Sequence, residues 1–276
     1  MARAACSSLP FRHYIGGNRR KRLKLRCFRE FRCEKTRIDA IFGISLASWG
    51  DVAGFYTNLT DGPKGVYHIT CVDAVSQWQV QACVQGISEA FLLPVLALVI
   101  EQFPFEIEGF HSDNGSEYVN GKVALMLDKL RIEQTKSRSR HSNDNALAES
   151  KNASVVRKHM GYSHIPQKYA QPINAFYKKT FNPWLNLHRP CLFATEIVSP
   201  KGKVIKRYRN QDVKTPLACL AQLSAKGLVR FKTGITLHDM QAQANAQTDL
   251  AAAQAMQQAK ADLFTLFNKP KTPRRA

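Results

Sequence analysis

HSDNGSEYVN, residues 111–120, and RHSNDNALAES, residues 140–150, decide how this chain is read. The first stretch leaves a β-like run, Phe105–Phe110, and turns at Ser112-Asp113-Asn114-Gly115, where Asn and Gly favour a tight change of direction. The second opens a helix. Ser142, Asn143 and Asp144 are N-cap residue types, and Gly161 supplies a stop, which predicts a helix over about 145–159. Between the two lie a predicted helix over 121–130, with Val123, Leu125, Met126, Leu127 and Leu130, and a predicted strand over 131–135. Two carboxylates are thereby set on neighbouring elements, Asp113 at a strand end and Glu149 in the second turn of a helix. Oxygen donors of this kind suit hard divalent cations such as Mg²⁺. A pair of such ions roughly 3.5–4 Å apart stabilises both the attacking and the leaving oxygen of a phosphoryl displacement.

Upstream of this stretch the pattern is β-like. Phe55–Leu59 predicts a strand, residues 61–65 (DGPKG) a turn, and Val66–Val72 and Trp78–Val84 two further antiparallel strands. A helix starting near Leu93, with Pro94 in its first turn, is apolar through Val95, Leu96, Leu98, Val99, Ile100 and Phe103, and should be buried against the sheet. Downstream, residues 162–190 place Tyr162, Tyr169, Phe176, Tyr177, Phe181 and Trp184 among lysines. At helical spacing such aromatics belong to a core more often than to a base-stacking platform.

Charge narrows the class of partner. Lys and Arg total 40 against 21 Asp and Glu, a formal net charge of +19, which points to a polyanion. A membrane is disfavoured, because the longest apolar run, Phe91–Ile100, is interrupted by Pro94 and is too short for a bilayer span. The seven cysteines, at 6, 27, 33, 71, 83, 191 and 219, form no CxxC pair. A disulfide framework or zinc ribbon is therefore not expected, and reduced cytoplasmic thiols are. Met1–Pro10 lacks the apolar stretch of a secretory signal.

Taken together, HSDNG at 111–115, TKSRSRHSNDN at 135–145, ESKN at 149–152 and LNLHRP at 185–190 resemble the integrase catalytic core of DDE transposases, in particular the integrase-like transposases of bacterial insertion sequences. Isolated carboxylates are ordinarily turn or solvated helix residues; the run of motifs is what carries the resemblance. It implies a ribonuclease-H-like α/β fold, a mixed sheet with helices on both faces, over 51–190. It also implies metal-dependent cleavage of DNA at an element end, followed by attack of the freed 3′-hydroxyl on target DNA during transposition or integration. Asp113 and Glu149 would hold Mg²⁺ or Mn²⁺, and DNA would be both substrate and partner. A homo-oligomer assembled on DNA, at the nucleoid of a bacterial cytoplasm, is the expected working state.

The family pattern has a further carboxylate on the first strand, and here this chain departs from it. Counting back from GVYHI, residues 65–69, reaches Ala53. Asp51, two residues away, is the first choice if a bulge restores register. Asp39, in Arg-Ile-Asp-Ala-Ile, better resembles the family's local sequence but requires an insertion; Asp61 and Asp73 fit less well. A catalytically inactive, DNA-binding remnant is the competing reading, and a structure-specific nuclease of the same fold is a third. The resemblance begins near Asp61, which suggests an upstream segment shortened or rewritten by a reading-frame change; translating all three upstream frames tests this.

Outside the core, residues 1–50 form a basic, poorly interpretable arm, densest between Arg19 and Arg37. Residues 191–276 hold a basic β-like segment, PKGKVIKRYR at 200–209, and an Ala/Gln-rich helix predicted over 237–267 with Thr236 and Asp239 as a capping pair. Arg138, Arg140, Lys151, Arg157, Lys158, Lys203, Lys206 and Arg207 are the candidate DNA contacts, through phosphates.

Overall fold

The computed structural model describes residues 26–27, 65–86, 88–112, 121–136, 146–198 and 204–268. The strand expected at Phe55–Leu59 lies outside them. The fold is mixed α/β. Its first described strand is short, β1 (Arg26–Cys27), followed by β2 (Tyr67–Val72), β3 (Gln79–Val84), α1 (Glu89–Glu101), β4 (Gly109–Ser112), α2 (Gly121–Lys129) and β5 (Glu133–Lys136). Next come α3, which runs Ala146–Lys151, passes through a π-helical stretch Asn152–Arg157 and closes at Lys158–Met160, and α4, which begins at Ala170–Phe176 and continues through π-helical stretches Tyr177–Phe181 and Trp184–His188. Strands β6 (Cys191–Val198) and β7 (Val204–Lys214) and helices α5 (Pro216–Ala225), α6 (Leu237–Asn245) and α7 (Asp249–Asn268) complete the chain.

Strands β4 and β5 pair in parallel from Gly109↔Glu133 to Ser112↔Lys136, and β1 adds in parallel on the far side of β5. Strands β2 and β3 form an antiparallel hairpin from Tyr67↔Val84 to Val72↔Gln79. From β2 to α3 the order is strand, strand, helix, strand, helix, strand, helix, the order in which the sequence reading places these elements after its first strand.

Because side chains alternate along a strand, the hairpin presents two faces, and both are buried. Ile69, Cys71, Val80, Ala82 and Val84 pack with Leu92, Leu96 and Val99 of α1 and, from the far end of the chain, with Leu217 and Leu220 of α5 and Met240 of α6. Cys83 and Val66 lie in a second cluster with Val155 and Val156 of α3, Ile173, Phe176, Tyr177 and Phe181 of α4, and Met256 and Leu263 of α7. Helices thus cover both faces, and residues beyond Pro190 share both cores. The aromatics of α4 are core, as expected: Phe181 stacks on Phe176 and Tyr177 with centroids 5.4 Å from each, whereas Tyr162, expected with them, is exposed in the turn after α3.

Several boundaries differ from the sequence reading. Helix α1 begins at Glu89, because the Ser88 carbonyl accepts from the Phe91 and Leu92 amides. Pro94 therefore lies inside it, where the carbonyl it leaves unpaired belongs to exposed Ala90 and can be met by water. The helix is also less enclosed than expected, with Phe91 and Leu98 exposed. The strand expected over 105–110 starts only at Gly109, since the segment before it pairs elsewhere: the Glu106 amide donates to Arg230 O and the Lys232 amide to Pro104 O. β5 is delayed to Glu133 because Arg131 adopts a left-handed φ of 57° in the turn that ends α2. The single C-terminal helix is two, interrupted at Thr248, whose hydroxyl accepts from the Ala251 amide and starts α7. Helix α5 has no counterpart in the sequence reading; Thr215 caps it, with Pro216 in its first turn.

Candidate functional site

The residue that ends β4 is Ser112, opposite Lys136, and Asp113 follows it directly. Asp113 itself, Asp51, Asp39, Arg138, Arg140 and Lys203 lie outside the described residues. Glu149 is in the opening turns of α3. Among the described residues no group of three or more His, Cys, Asp and Glu side chains is arranged to hold a metal ion.

What the structure displays fully is how α3 is held. Two and three residues after Glu149, Lys151 and Asn152 are buried. Asn152 Oδ1 lies 3.0 Å from the Thr70 hydroxyl on β2. That hydroxyl is also 2.9 Å from Gln81 Oε1 on β3, and it has one proton for two acceptors, so one amide must present its NH₂ group to Thr70 instead. Turning Gln81 does so, because its Nε2 has no partner in the orientation described. Lys151 donates from Nζ to Gln77 Oε1 at 2.7 Å and approaches Cys191 Sγ at 3.3 Å. Burial pulls its ammonium below the ordinary lysine range, with proximity to Cys191 acting in the opposite sense. Lys151 is only 6% exposed. Its charge is directed into the junction of α3, the hairpin turn and β6, not toward solvent.

Around this junction the second face of the hairpin is polar yet buried. His68 is pulled down to about 4 by burial, so it is neutral at neutral pH, with Nδ1 2.9 Å from the Tyr177 hydroxyl. Asp73 starts the β2–β3 turn, and burial raises it to about 6 despite hydrogen bonds from Ser76 and neighbouring amides. The Ser76 amide donates to its Oδ2 at 2.7 Å.

The outer edge of β3 is met by side chains. Asn174 accepts from the Cys83 amide and donates to the Cys83 carbonyl, both at 2.7 Å. Asn182 does the same for Gln81 at 2.9 and 3.1 Å, and Asn186 for Gln79 at 2.8 and 2.7 Å. Three amides of α4 thus occupy the place a neighbouring strand would take, which keeps the buried backbone groups of β3 satisfied.

The basic residues divide by exposure. Lys158 is exposed and Arg157 half-buried on α3, while Lys206, Arg207 and Arg209 are exposed on β7. β6 and β7 form a two-stranded ribbon in which Lys206 sits opposite Glu196, Arg207 opposite Thr195 and Tyr208 opposite Ala194. Val198 at 67% and Tyr208 at 60% exposure project into solvent. Among the described residues no helix is long and apolar enough to cross a membrane.

Sequence reasoning did not find Gln77, Thr70 or the three asparagines of α4. The available signals were the placement of Gln79 and Gln81 on a face that must be buried if helices cover both sides, and polar Asn182 and Asn186 within an otherwise apolar run.

No family model matches the chain. It is 26% identical over 143 residues to an uncharacterized protein, y4rM, of Sinorhizobium fredii, covering 52% of this chain and 41% of that protein. The chain thus spans about two fifths of that relative's length. Among solved structures, the catalytic core domain of BIV integrase matches 68% of this chain and 98% of its own, at 10% identity and a TM-score of 0.41. The simian T-cell lymphotropic virus intasome matches 58% of this chain and 53% of its own, at 14% identity and a TM-score of 0.37. Both scores are too low to define a shared topology, so the fold rests on the chain's own strand pairing.

Proposed function

We propose that the chain is a DNA-cleaving and strand-transferring enzyme of the DDE transposase type, with Asp113 and Glu149 as its acidic pair and Asp51 as the third ligand. The observation that carries this reading is parallel strand β4 ending at Ser112, directly before Asp113 in the SDNG sequence, together with an ES pair in the opening turns of a helix anchored to β2 by Asn152. An all-oxygen donor set fits a hard cation, Mg²⁺ or Mn²⁺. Bound there, the cation would activate the attacking oxygen and neutralise charge on the phosphoryl group.

The protein's own contribution is positional. Thr70 and Gln77 hold the Glu149 helix, and Lys158, Lys206 and Arg207 present positive charge where phosphates can reach it. Arg138, Arg140, Arg157 and Lys203 are further candidate phosphate contacts in this proposal. Lys151, already engaged inside the protein, is not among the DNA-facing residues. The proposed unit is the core at 51–190 with the C-terminal helices packed on it and the ribbon as its DNA-facing extension, working as a homo-oligomer on element ends at the nucleoid.

The second reading, a DNA-binding remnant without catalysis, is favoured by Ala53 at the position where family register places an acid. Purified full chain with Mn²⁺ and supercoiled plasmid separates the two. Nicking that disappears in Asp113→Asn and in Glu149→Gln supports the enzyme. DNA binding with no metal-dependent nicking in any variant leaves the remnant.

A further inference from the structure

One side chain joins three elements that the proposed reaction would need to move together. Gln77, in the β2–β3 turn, accepts from Lys151 Nζ of α3 at 2.7 Å and donates from Nε2 to the Leu192 carbonyl of β6 at 2.9 Å. Its backbone has φ 55°, a left-handed conformation uncommon for a residue other than glycine and maintained only where the surroundings enforce it. The turn does enforce it: the Gln77 amide donates to Asp73 O at 3.0 Å, and the Asp73 amide to Trp78 O at 2.7 Å. Gln77 is itself buried. Its attachment to β6 falls where pairing with β7 shifts register, between Leu192 and Ala194. Bulges of this kind are where a ribbon bends.

We propose that Gln77 is a positioning residue that couples the basic β6–β7 ribbon to the helix carrying Glu149. Resting on the reading of DNA as the ribbon's partner, this deepens it: DNA seated on Lys206 and Arg207 restrains the ribbon, and the restraint passes from the Leu192 carbonyl through the Gln77 amide to Lys151, two residues from Glu149. The route through Gln77 is one side-chain amide with its oxygen on the helix and its nitrogen on the ribbon. Lys151 closes the junction a second time through Cys191 Sγ at 3.3 Å, the residue before Leu192. An element that both surfaces bias is what physical coupling between them requires.

Two variants of the full chain separate the arms of the clamp. Gln77→Met keeps the length of the side chain and loses both bonds. Gln77→Glu keeps an acceptor for Lys151 and loses the donor to Leu192. Hydrogen exchange is followed with and without a short DNA duplex. In the wild type, DNA is expected to slow exchange both in 204–214 and in 146–160. In both variants the ribbon should still respond, while the response of 146–160 falls about threefold or more. Without DNA, Gln77→Glu should hold 146–160 as the wild type does, an outcome that simple loss of stability would not give. If Gln77→Met does not fold, Gln77→Glu decides alone. An undiminished helix response in the variants, or a wild-type ribbon response with no helix response, overturns the coupling. No DNA-induced change anywhere in the wild type overturns the DNA reading itself, and the coupling with it.

Discussion

The Thr70 hydroxyl on β2 lies 3.0 Å from Asn152 Oδ1, joining the hairpin to the helix that carries Glu149 three residues earlier. Both side chains are buried, so the contact replaces hydration on each side. Thr70→Val keeps the shape and removes the hydroxyl, depriving the Asn152 and Gln81 amides of a shared partner. A loss of about 1–3 kcal/mol in urea unfolding is expected, because buried polar groups lose more than the net value of one bond. An unchanged midpoint would show that neither amide depends on Thr70.

Asn182→Leu should be more damaging. It removes the pair of bonds to Gln81 and the donation to Gln102 Oε1 at 2.9 Å, leaving backbone groups of β3 buried without partners. We expect a loss of about 3 kcal/mol, with exchange of the Gln81 amide accelerated well beyond that of β2 amides. Equal acceleration across the hairpin would indicate general destabilisation and not a local edge.

Acid should weaken the fold through His68. Its folded value is about 4 against an ordinary 6.5, so between those values the unfolded chain binds a proton that the folded protein refuses. Stability from this group is present above pH 6.5 and falls as pH drops toward 4, by at most about 3 kcal/mol. His68→Gln, measured by unfolding at pH 4.5 and 7.5, should flatten that slope. A slope identical to the wild type would mean His68 takes up its proton without unfolding.

Asp73 works in the opposite direction. Its folded value is about 6 against 3.8, so the folded state keeps a proton the unfolded chain has lost, and stability from this group falls as pH rises from about 4 through 6. Asp73→Asn should gain about 1 kcal/mol on the wild type between pH 5 and pH 8. A constant difference across that range would contradict the raised value.

The proposed DNA surface makes a salt-dependent prediction. Replacing Lys206 and Arg207 together with Gln should weaken binding without changing sequence preference, and reduce the log–log salt slope by about 0.9 for each phosphate that is no longer neutralised. Equal slopes for variant and wild type would remove the ribbon from the interface.

The hairpin, α2 and the run of α3 were legible because each combines a clear period with a stop: Val66–Val72 and Trp78–Val84 alternate, and Gly161 ends α3 with φ 80°. What escaped was set by distant partners. Phe105 reads as strand, yet its neighbours pair with Arg230 and Lys232, a contact no local window contains. Lys151 reads as a surface cation because its helix is basic, and it is buried because Gln77 and Cys191 meet it from other elements. The break at Thr248 was hidden by the high helix propensity of Ala and Gln on both sides. The motifs propose an acidic pair at Asp113 and Glu149 from local spacing alone; they could not reveal which side chains hold α3 in place.

A strand that ends a sheet ordinarily leaves a row of amides and carbonyls on which another chain can polymerise. On β3 that row is already taken by Asn174, Asn182 and Asn186, and because the partners are side chains on a helix, they offer no fresh row of their own. The width of this sheet is therefore capped on that side: a second copy of the chain meets no open row on β3 onto which its own hairpin could zip.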